Sequence, residues 1–388
     1  MTDSAVPPKT VYFDNGSTSV PKAPGVTQAI TDYLTAGAYN VGRGGYAGSF
    51  DIGLQILECR ERIATLFNAD DLRTVIFTPS LTYSLNAILQ GFLSNGDHVI
   101  TTSMEHNSVM RPLHELQKQR TITYDTVTCD NNGMLNPDDI IPLINSNTKA
   151  IVMTHASNVC GTILPIDKVA EICASHNLRL IVDAAQTAGV LSIDASTIDA
   201  LAFPGHKGLL GSTGIGGFII KQDFAKSVHA SIWGGTGSQS HGFDQPSFLP
   251  DKFESGTQNI AGILGLKTAI EYIQSRGINN IYQHEMKLYQ QFVDSAANIA
   301  EMRLIATSPT VPKVPVISVD FPNHDIADIA TQLDRDYSIM ARCGLHCAPA
   351  AHKTLGTYPA GTLRFSFGHN NTASEVDCLL HALQEILD

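Results

Sequence analysis

Two short apolar runs, each closed by a polar residue of a different kind, limit the folds open to this chain more than any other feature. Leu180, Ile181 and Val182 end on Asp183, while Ala200, Leu201, Ala202 and Phe203 end just before Gly205-His206-Lys207. Runs without polar alternation read as strands buried on both faces, which places them in a mostly parallel sheet covered by helices. In open α/β sheets ligands bind beyond the carboxyl ends of the strands, so Asp183 and Lys207 are expected to face one crevice. A buried lysine is costly unless its charge is paired or removed, and condensation with an aldehyde removes it. That points to pyridoxal phosphate, with Asp183 beside the pyridine nitrogen, keeping it protonated so that the ring is an electron sink. The same two residues would also suit a surface lysine and a strand-end aspartate that caps a helix.

Bulk properties favour small-molecule chemistry. The 388 residues, 43% of them apolar, suffice for two domains and a sizeable core. A net charge of −12 with no lysine or arginine cluster argues against nucleic acid. No apolar run approaches a membrane span, and the opening MTDSAVPPKT lacks the regions of a signal peptide, so a cytoplasmic protein without a membrane partner is expected. The seven cysteines are odd in number and fit neither a zinc site nor a disulfide framework, so no metal is expected and most read as small buried hydrophobes.

Along the chain, single strands alternate with single helices. Helices are expected over 26–35, 51–67, 83–93, 109–119 and 165–177, and strands over 74–78, 98–102, 150–154, 180–183, 200–203 and 218–220. Pro79-Ser80-Leu81-Thr82, between a strand and a helix, is a ready anion site because unpaired amides and the helix dipole point at the ligand. The glycines from Gly211 to Gly217 invite a dinucleotide-loop reading, but a strand follows them instead of a helix. From Trp233 to Thr257 the chain is glycine-rich, too long for a simple turn and therefore read as functional. Long helical patterns over 258–276 and 281–299 end the alternation. The expected division is an arm over 1–20 packing with the smaller domain, a large cofactor-binding domain over 21–262, and a small α+β domain over 263–388. In the latter, 314–321, 338–342 and 362–367 read as strands and 326–337 as a helix, and Thr372-Ala373-Ser374-Glu375 is a capping box that opens the last helix. Cys347, after a strand and amid Gly344, His346 and Pro349, is expected in a constrained loop as an exposed nucleophile, its thiolate fraction raised by His346 or by cofactor charge. A buried structural thiol is the alternative. Arg364 offers a planar fork suited to a carboxylate, or else a surface ion pair.

Asp183-Ala184-Ala185-Gln186, Gly205-His206-Lys207 and Phe253-Glu254-Ser255-Gly256-Thr257-Gln258-Asn259, in this order, resemble the cofactor motifs of the class V aminotransferase family, and within it the cysteine desulfurases and selenocysteine lyases. The resemblance runs from about Tyr12 to the C-terminus. It implies a fold type I enzyme, a homodimer with a shared active site and pyridoxal phosphate on Lys207. It also implies that His106 stacks on the pyridine ring and that Asn158 and Gln186 bond the cofactor's phenolic oxygen. Thr82 and His206 would hold the phosphate and Thr257 the partner's phosphate. Arg342-Cys343-Gly344-Leu345-His346-Cys347 resembles the family's sulfur-accepting segment, with Cys347 as acceptor and Cys343 outside the pattern, and Arg364 matches the arginine for the amino acid's carboxylate. Asn15 and Asn40 lie in stretches that match loops near the substrate. The implied reaction converts L-cysteine to L-alanine with a persulfide on Cys347, for passage to a sulfur-acceptor protein. L-selenocysteine cleavage and carbon–sulfur lysis are the alternatives within the family, and a non-catalytic binding protein the one outside it. Pro204 departs from the usual Ser or Thr before Gly-His-Lys, removing a hydroxyl and a backbone donor.

Overall fold

The computed structural model describes residues 10–42, 44–239 and 241–388; the first nine residues of the expected arm, and Arg43, lie outside the described residues. In chain order the elements are β1 (Val11–Tyr12), α1 (Val26–Thr35), α2 (Ala47–Leu66), β2 (Val75–Thr78), α3 (Leu81–Phe92), β3 (His98–Thr102), α4 (Asn107–Arg120), β4 (Thr123–Val127), β5 (Thr148–Thr154), α5 (Ile166–His176), β6 (Arg179–Asp183), β7 (Ala200–Pro204), β8 (Gly216–Ile220) and α6 (Gln222–Ser227). They continue with α7 (Ile260–Arg276), α8 (Ile278–Ala296), β9 (Arg303–Leu304), β10 (Val316–Asp320), α9 (Ile326–Tyr337), β11 (Ile339–Met340), β12 (Arg342–Gly344), α10 (Pro349–Thr354), β13 (Thr362–Ser366) and α11 (Ala373–Leu387).

The large sheet has the order β2-β8-β7-β6-β5-β3-β4, with only β8 antiparallel to its neighbours. Apolar residues of one strand feed two cores in turn. Leu180 and Val182 of β6 pack with α2, α5 and α7 on one face, and Ile181 packs with α3 and α4 on the other. This two-sided burial is why these strands read as continuous apolar runs. A second, antiparallel sheet of order β12-β13-β10-β9 packs against α8, α9 and α11. The fold is thus α/β with a large mostly parallel sheet and a smaller antiparallel one, of fold type I.

The chain from residue 10 to 23 straps the two sheets together. β1 pairs in parallel with β11 and Asp14 bridges to Ser366 on β13, after which Ser19 and Ala23 donate to the carbonyls of His206 and Leu210. α7 packs against α1 and α2 and contributes Ile263, Leu266, Ile270 and Ile273 to the core of the large sheet, whereas Leu288 and Phe292 of α8 belong to the small one. A division at Gly277 keeps α7 with the large core and most of α8 with the small one, Ile281 excepted, and we propose it in place of one near Gly262.

Element boundaries moved where capping decided them. α3 and α4 each begin two residues before the expected start, because Ser80 and His106 cap them through their side chains. The strand expected over 338–342 is two: β11 joins β1 and β12 joins β13. β4, α6 and α10 were not anticipated; β4 is a largely exposed edge strand of polar composition, which carries no apolar run to mark it. The capping box of α11 is formed as expected, with Thr372 accepting from Glu375 and Glu375 from Thr372. Among the described residues no helix is long and apolar enough to cross a membrane.

Candidate active site

Five strand ends of the large sheet open on one edge, and each delivers a functional group. β2 leads to Ser80 and Thr82, β3 to Glu105 and His106, β5 to His155 and Asn158, β6 to Asp183 and Gln186, and β7 to His206 and Lys207. All of these but Glu105 and His155 line a cavity of about 200 Å³, with Thr82, His106, Asn158, Asp183, Gln186 and Lys207 around it. A smaller cavity of about 40 Å³ continues past Lys207 and Gln186 to Asn15, Ser366 and the buried Glu285.

Burial decides the charge states. It pushes the Lys207 amine down to about 8, with Asp183 opposing and Arg364 adding to the shift. It raises the Asp183 carboxyl, against the pull of the Ala185 amide, Lys207 and Ser108. Asp183 accepts from Ala185 N at 2.8 Å and from Ser108 Oγ at 3.1 Å. His106 is held at about 4 by burial and by Lys207, Arg111 and Arg364, so it is neutral at pH 7. Its Nδ1 accepts from Ser108 N at 3.0 Å, which leaves the ring proton on Nε2. Beneath both lies Glu105, wholly buried and raised to about 8, with Oε1 accepting from Thr102 Oγ1 and Thr154 N and Oε2 unpartnered.

His206 lies on the strap side of the cavity. Its Nδ1 is 3.1 Å from Thr18 Oγ1, and its carbonyl accepts from Lys22 Nζ at 3.0 Å. Gln186 Nε2 donates to the Gly16 carbonyl at 3.0 Å, and Asn158 Nδ2 to the His346 carbonyl at 2.7 Å. Each amide keeps one hydrogen free for a ligand. Pro204 ends β7 paired with Gly216, where it supplies no donor.

Cys347 is exposed, at φ 56°, in the turn after β12. Its carbonyl accepts from Asn107 N at 2.8 Å, which fixes the turn against the start of α4. With Thr82, His106 and Arg111 it lines a groove that adjoins the Lys207 cavity across His106. His346 does not charge the thiol's surroundings as expected. It points inward, Nε2 lying 3.1 Å from Thr362 Oγ1, and burial holds it down to about 2. Cys343 is exposed on β12, opposite Leu363.

Two expected site residues stand apart from the Lys207 cavities, and a third lines one of them in a structural role. Asn40 is exposed and its Oδ1 only accepts from Val41 N, so the structure does not bring it to the cavity. Asn15 lines the small cavity, but its amide donates to the Ser366 carbonyl and to Asn371 Oδ1, a structural use. Thr257 is exposed in the segment before α7 and lines neither Lys207 cavity. Arg364 is 2% exposed and donates from Nη1 to the Asn158 carbonyl at 3.0 Å and from Nη2 to Asp14 Oδ1 at 2.7 Å, while its Nε has no partner.

Ser108, Asp14, Arg342, Gly16 and Glu105 belong to the site without having been singled out. Ser108 carried no signal of its own: the cap of α4 falls to His106, and Ser108 sits two residues further on, inside the first turn. The donor set fits pyridoxal phosphate. A buried carboxylate suits a protonated ring nitrogen, the first-turn amides of α3 suit a phosphate, and a depressed amine lies in the same cavity for an aldehyde.

The aminotransferase class-V pattern matches residues 11–379. A probable cysteine desulfurase of Methanothermobacter thermautotrophicus is 31% identical over 383 residues, 97% of this chain and 94% of the relative. Another, of Borreliella burgdorferi, is 31% identical over 97% of this chain and 92% of its own length. Among solved structures, the apo cysteine desulfurase of Thermococcus onnurineus NA1 superposes with a TM-score of 0.91 at 31% identity, covering 97% of this chain and 94% of that one. The cysteine desulfurase CsdA of Escherichia coli gives 0.89 at 28%, again over 97% and 94%. The chain belongs to the aminotransferase class-V family.

Proposed function

We propose that the protein is a pyridoxal-phosphate-dependent cysteine desulfurase that converts L-cysteine to L-alanine and retains the sulfur as a persulfide on Cys347. The observation that carries this reading is the exposed thiol of Cys347, its turn anchored in a groove that adjoins, across His106, a cavity with a depressed lysine amine and a buried carboxylate. The relatives named cysteine desulfurases support it along nearly the whole chain.

Lys207, Asp183, His106, Gln186, Asn158, Thr82 and His206 would hold the cofactor. With Pro204 in place of a hydroxyl residue, more of the phosphate contact falls to the amides that open α3. When bound, pyridoxal phosphate supplies the electron sink that lets the α C–H bond break. Asp183 would keep a proton at the ring nitrogen of the bound cofactor, and neutral His106 would lie against it without competing for charge. Arg364 holds the substrate carboxylate, and the Lys207 amine takes the α proton and returns one to carbon. Cys347 Sγ attacks the substrate sulfur, so that an S–S bond forms as the C–S bond breaks. Carbon gains the proton and alanine leaves. The thiol, the cysteine and their hydrogens are all accounted for in one persulfide and one alanine.

A second copy of the chain completes the site in this reading. α2 buries Ile52, Ile56 and Ile63 inward yet exposes Phe50, Leu54 and Leu57 along its other side, and Trp233 is 76% exposed in the glycine-rich segment. An apolar face of this kind suits a homodimer, and the exposed Thr257 would then serve the partner's phosphate. The exposure of the Cys347 thiol supports passage of the persulfide sulfur to an acceptor protein in this reading.

The test is the absorption spectrum of the purified protein with and without L-cysteine, alongside assays of alanine and sulfide. A visible-edge band that shifts with cysteine while alanine accumulates is expected, and Cys347→Ser should keep the band but form no persulfide. Pyruvate and ammonia in place of alanine would move the reading to a carbon–sulfur lyase. Faster turnover of L-selenocysteine that survives Cys347→Ser would favour a selenocysteine lyase.

A further inference from the structure

Arg342 and Arg364 stand directly opposite each other on β12 and β13. Like charges in that position repel and destabilise a sheet. One carboxylate resolves the conflict here. Asp14 Oδ1 accepts from Arg364 Nη2 at 2.7 Å and from Arg342 Nε at 3.2 Å, and Asp14 Oδ2 accepts from Arg342 Nε at 2.9 Å. Arg342 Nη2 also donates to Ser17 Oγ at 2.6 Å. Among the described residues no other carboxylate pairs with either guanidinium. The cluster is close to the chemistry: Arg364, Asp14 and Arg342 all act on the charge of Lys207. Gly16 lies between, since a Cβ there would sit 3.4 Å from both Arg364 Cζ and Gln186 Oε1.

We propose that Asp14 sets the charge of the substrate-carboxylate site: shared between Arg364 and Arg342, it leaves one net positive charge and so makes the site select amino acids with a single carboxylate. This rests on the reading of Arg364 as the carboxylate anchor. Asp14 is a positioning residue, acting on substrate through the two arginines. Without Asp14 the site would carry two positive charges, one on the buried Arg364 and one on the half-exposed Arg342, and a second carboxylate on the substrate would be attracted instead of merely tolerated. One aspartate therefore does two things. It holds the small sheet's arginine pair together, and it removes the charge that would recruit aspartate or glutamate in place of cysteine.

The experiment titrates the cofactor band of the holoenzyme with L-alanine, L-aspartate and L-glutamate in wild type, Asp14→Asn, Arg342→Gln and the double variant, whose net charges at the site are +1, +2, 0 and +1. Asp14→Asn is expected to raise the affinity for L-aspartate or L-glutamate relative to L-alanine by about tenfold, consistent with one added charge at partly screened distance. Arg342→Gln should weaken all three ligands, and the double variant should return the ratio to that of wild type. A loss of packing alone would weaken every ligand together and leave the ratio unmoved, so an unchanged ratio in Asp14→Asn overturns the proposal. Should Asp14→Asn not fold, the comparison of Arg342→Gln with the double variant decides. L-aspartate and L-glutamate must gain about tenfold relative to L-alanine when Asp14 is neutralised in the Arg342→Gln background, and an unmoved ratio overturns the proposal. A wild-type band that ignores both L-alanine and L-cysteine would overturn the enzyme reading, and the charge assignment with it. A band that responds while the variants keep one ratio sinks only the role of Asp14.

Discussion

The amine of Lys207 is reactive near neutral pH because the cavity denies it the water that would stabilise its charge. Its value of about 8, against an ordinary 10.5, has a sign that can be tested. Only the neutral amine condenses with an aldehyde, so uptake of pyridoxal phosphate by the apoprotein should level off above pH 8 and fall about tenfold for each unit below it. Stopped-flow absorbance across pH 6–10 measures this; a midpoint near 10 would mean that the amine is solvated. Ser108 is the other residue on which the site turns, because its hydroxyl supports Asp183 while its amide fixes the tautomer of His106. Ser108→Ala strips one donor from a buried carboxylate, a loss of about 1–3 kcal/mol. The cofactor dissociation constant, read by fluorescence titration, should rise by roughly five- to 150-fold. Ser108 was illegible beforehand because a serine at a helix start ordinarily caps and does nothing more, and only the arrival of β6 beside α4 gives it a carboxylate to bind.

Strands and helices carry the site to one edge, but a loop holds the two sheets in register. Val159 accepts from Ser318 Oγ at 2.7 Å and Gly161 from Val314 N at 2.8 Å, so the turn after β5 is clamped on β10. Gly161 has φ 72°, and a Cβ there would meet the Val316 and Val314 carbonyls at 2.5 and 2.7 Å. Gly161→Ala should therefore cost about 3 kcal/mol, combining backbone strain with a clash against rigid backbone. Gly96 is a fitting control: φ is 85° and nothing lies within 4 Å, so alanine there should cost only the strain of about 1 kcal/mol. Urea unfolding of the two variants separates the terms, and equal losses would mean that the clamp yields freely. Elements whose ends are set by a capping side chain, α3 and α4, began earlier than apolar spacing suggests. Periodicity reports the buried face of a helix and is silent about its first, ligand-facing turn.

At the scale of the molecule, α2 serves two masters, filling the core of the large sheet with one face and presenting Phe50, Leu54 and Leu57 on the other. Leu54→Glu puts a charge in the middle of that exposed stripe and should leave the protomer folded while breaking the proposed homodimer, since loss of a central apolar anchor costs about 2 kcal/mol or more. Sedimentation should then show a monomer at micromolar concentration, and cofactor retention should fall with it if the neighbouring chain contributes to the phosphate site. A Leu54→Glu protein that remains dimeric, or that binds cofactor normally as a monomer, would place the shared site elsewhere.

What the amino-acid sequence determined by itself was the direction and content of the large sheet. Runs buried on both faces can form only inner strands, parallel strands expose their carboxyl ends together, and Asp183 and Lys207, at two of those ends, must therefore meet, whereas His106, Asn158 and Gln186 were legible only through the motifs they share with the family. That logic is local, and it predicted the cavity. The charges around it were decided by tertiary structure alone. Asp14 lies 350 residues before the arginine it pairs with, His346 turns inward to Thr362 and loses its charge, and Asn40 ends in solvent. Such outcomes depend on which surfaces meet when the strap and the small sheet close on the large one. A residue's own neighbours in sequence hold no record of that, because burial and charge pairing are properties of the space a side chain enters.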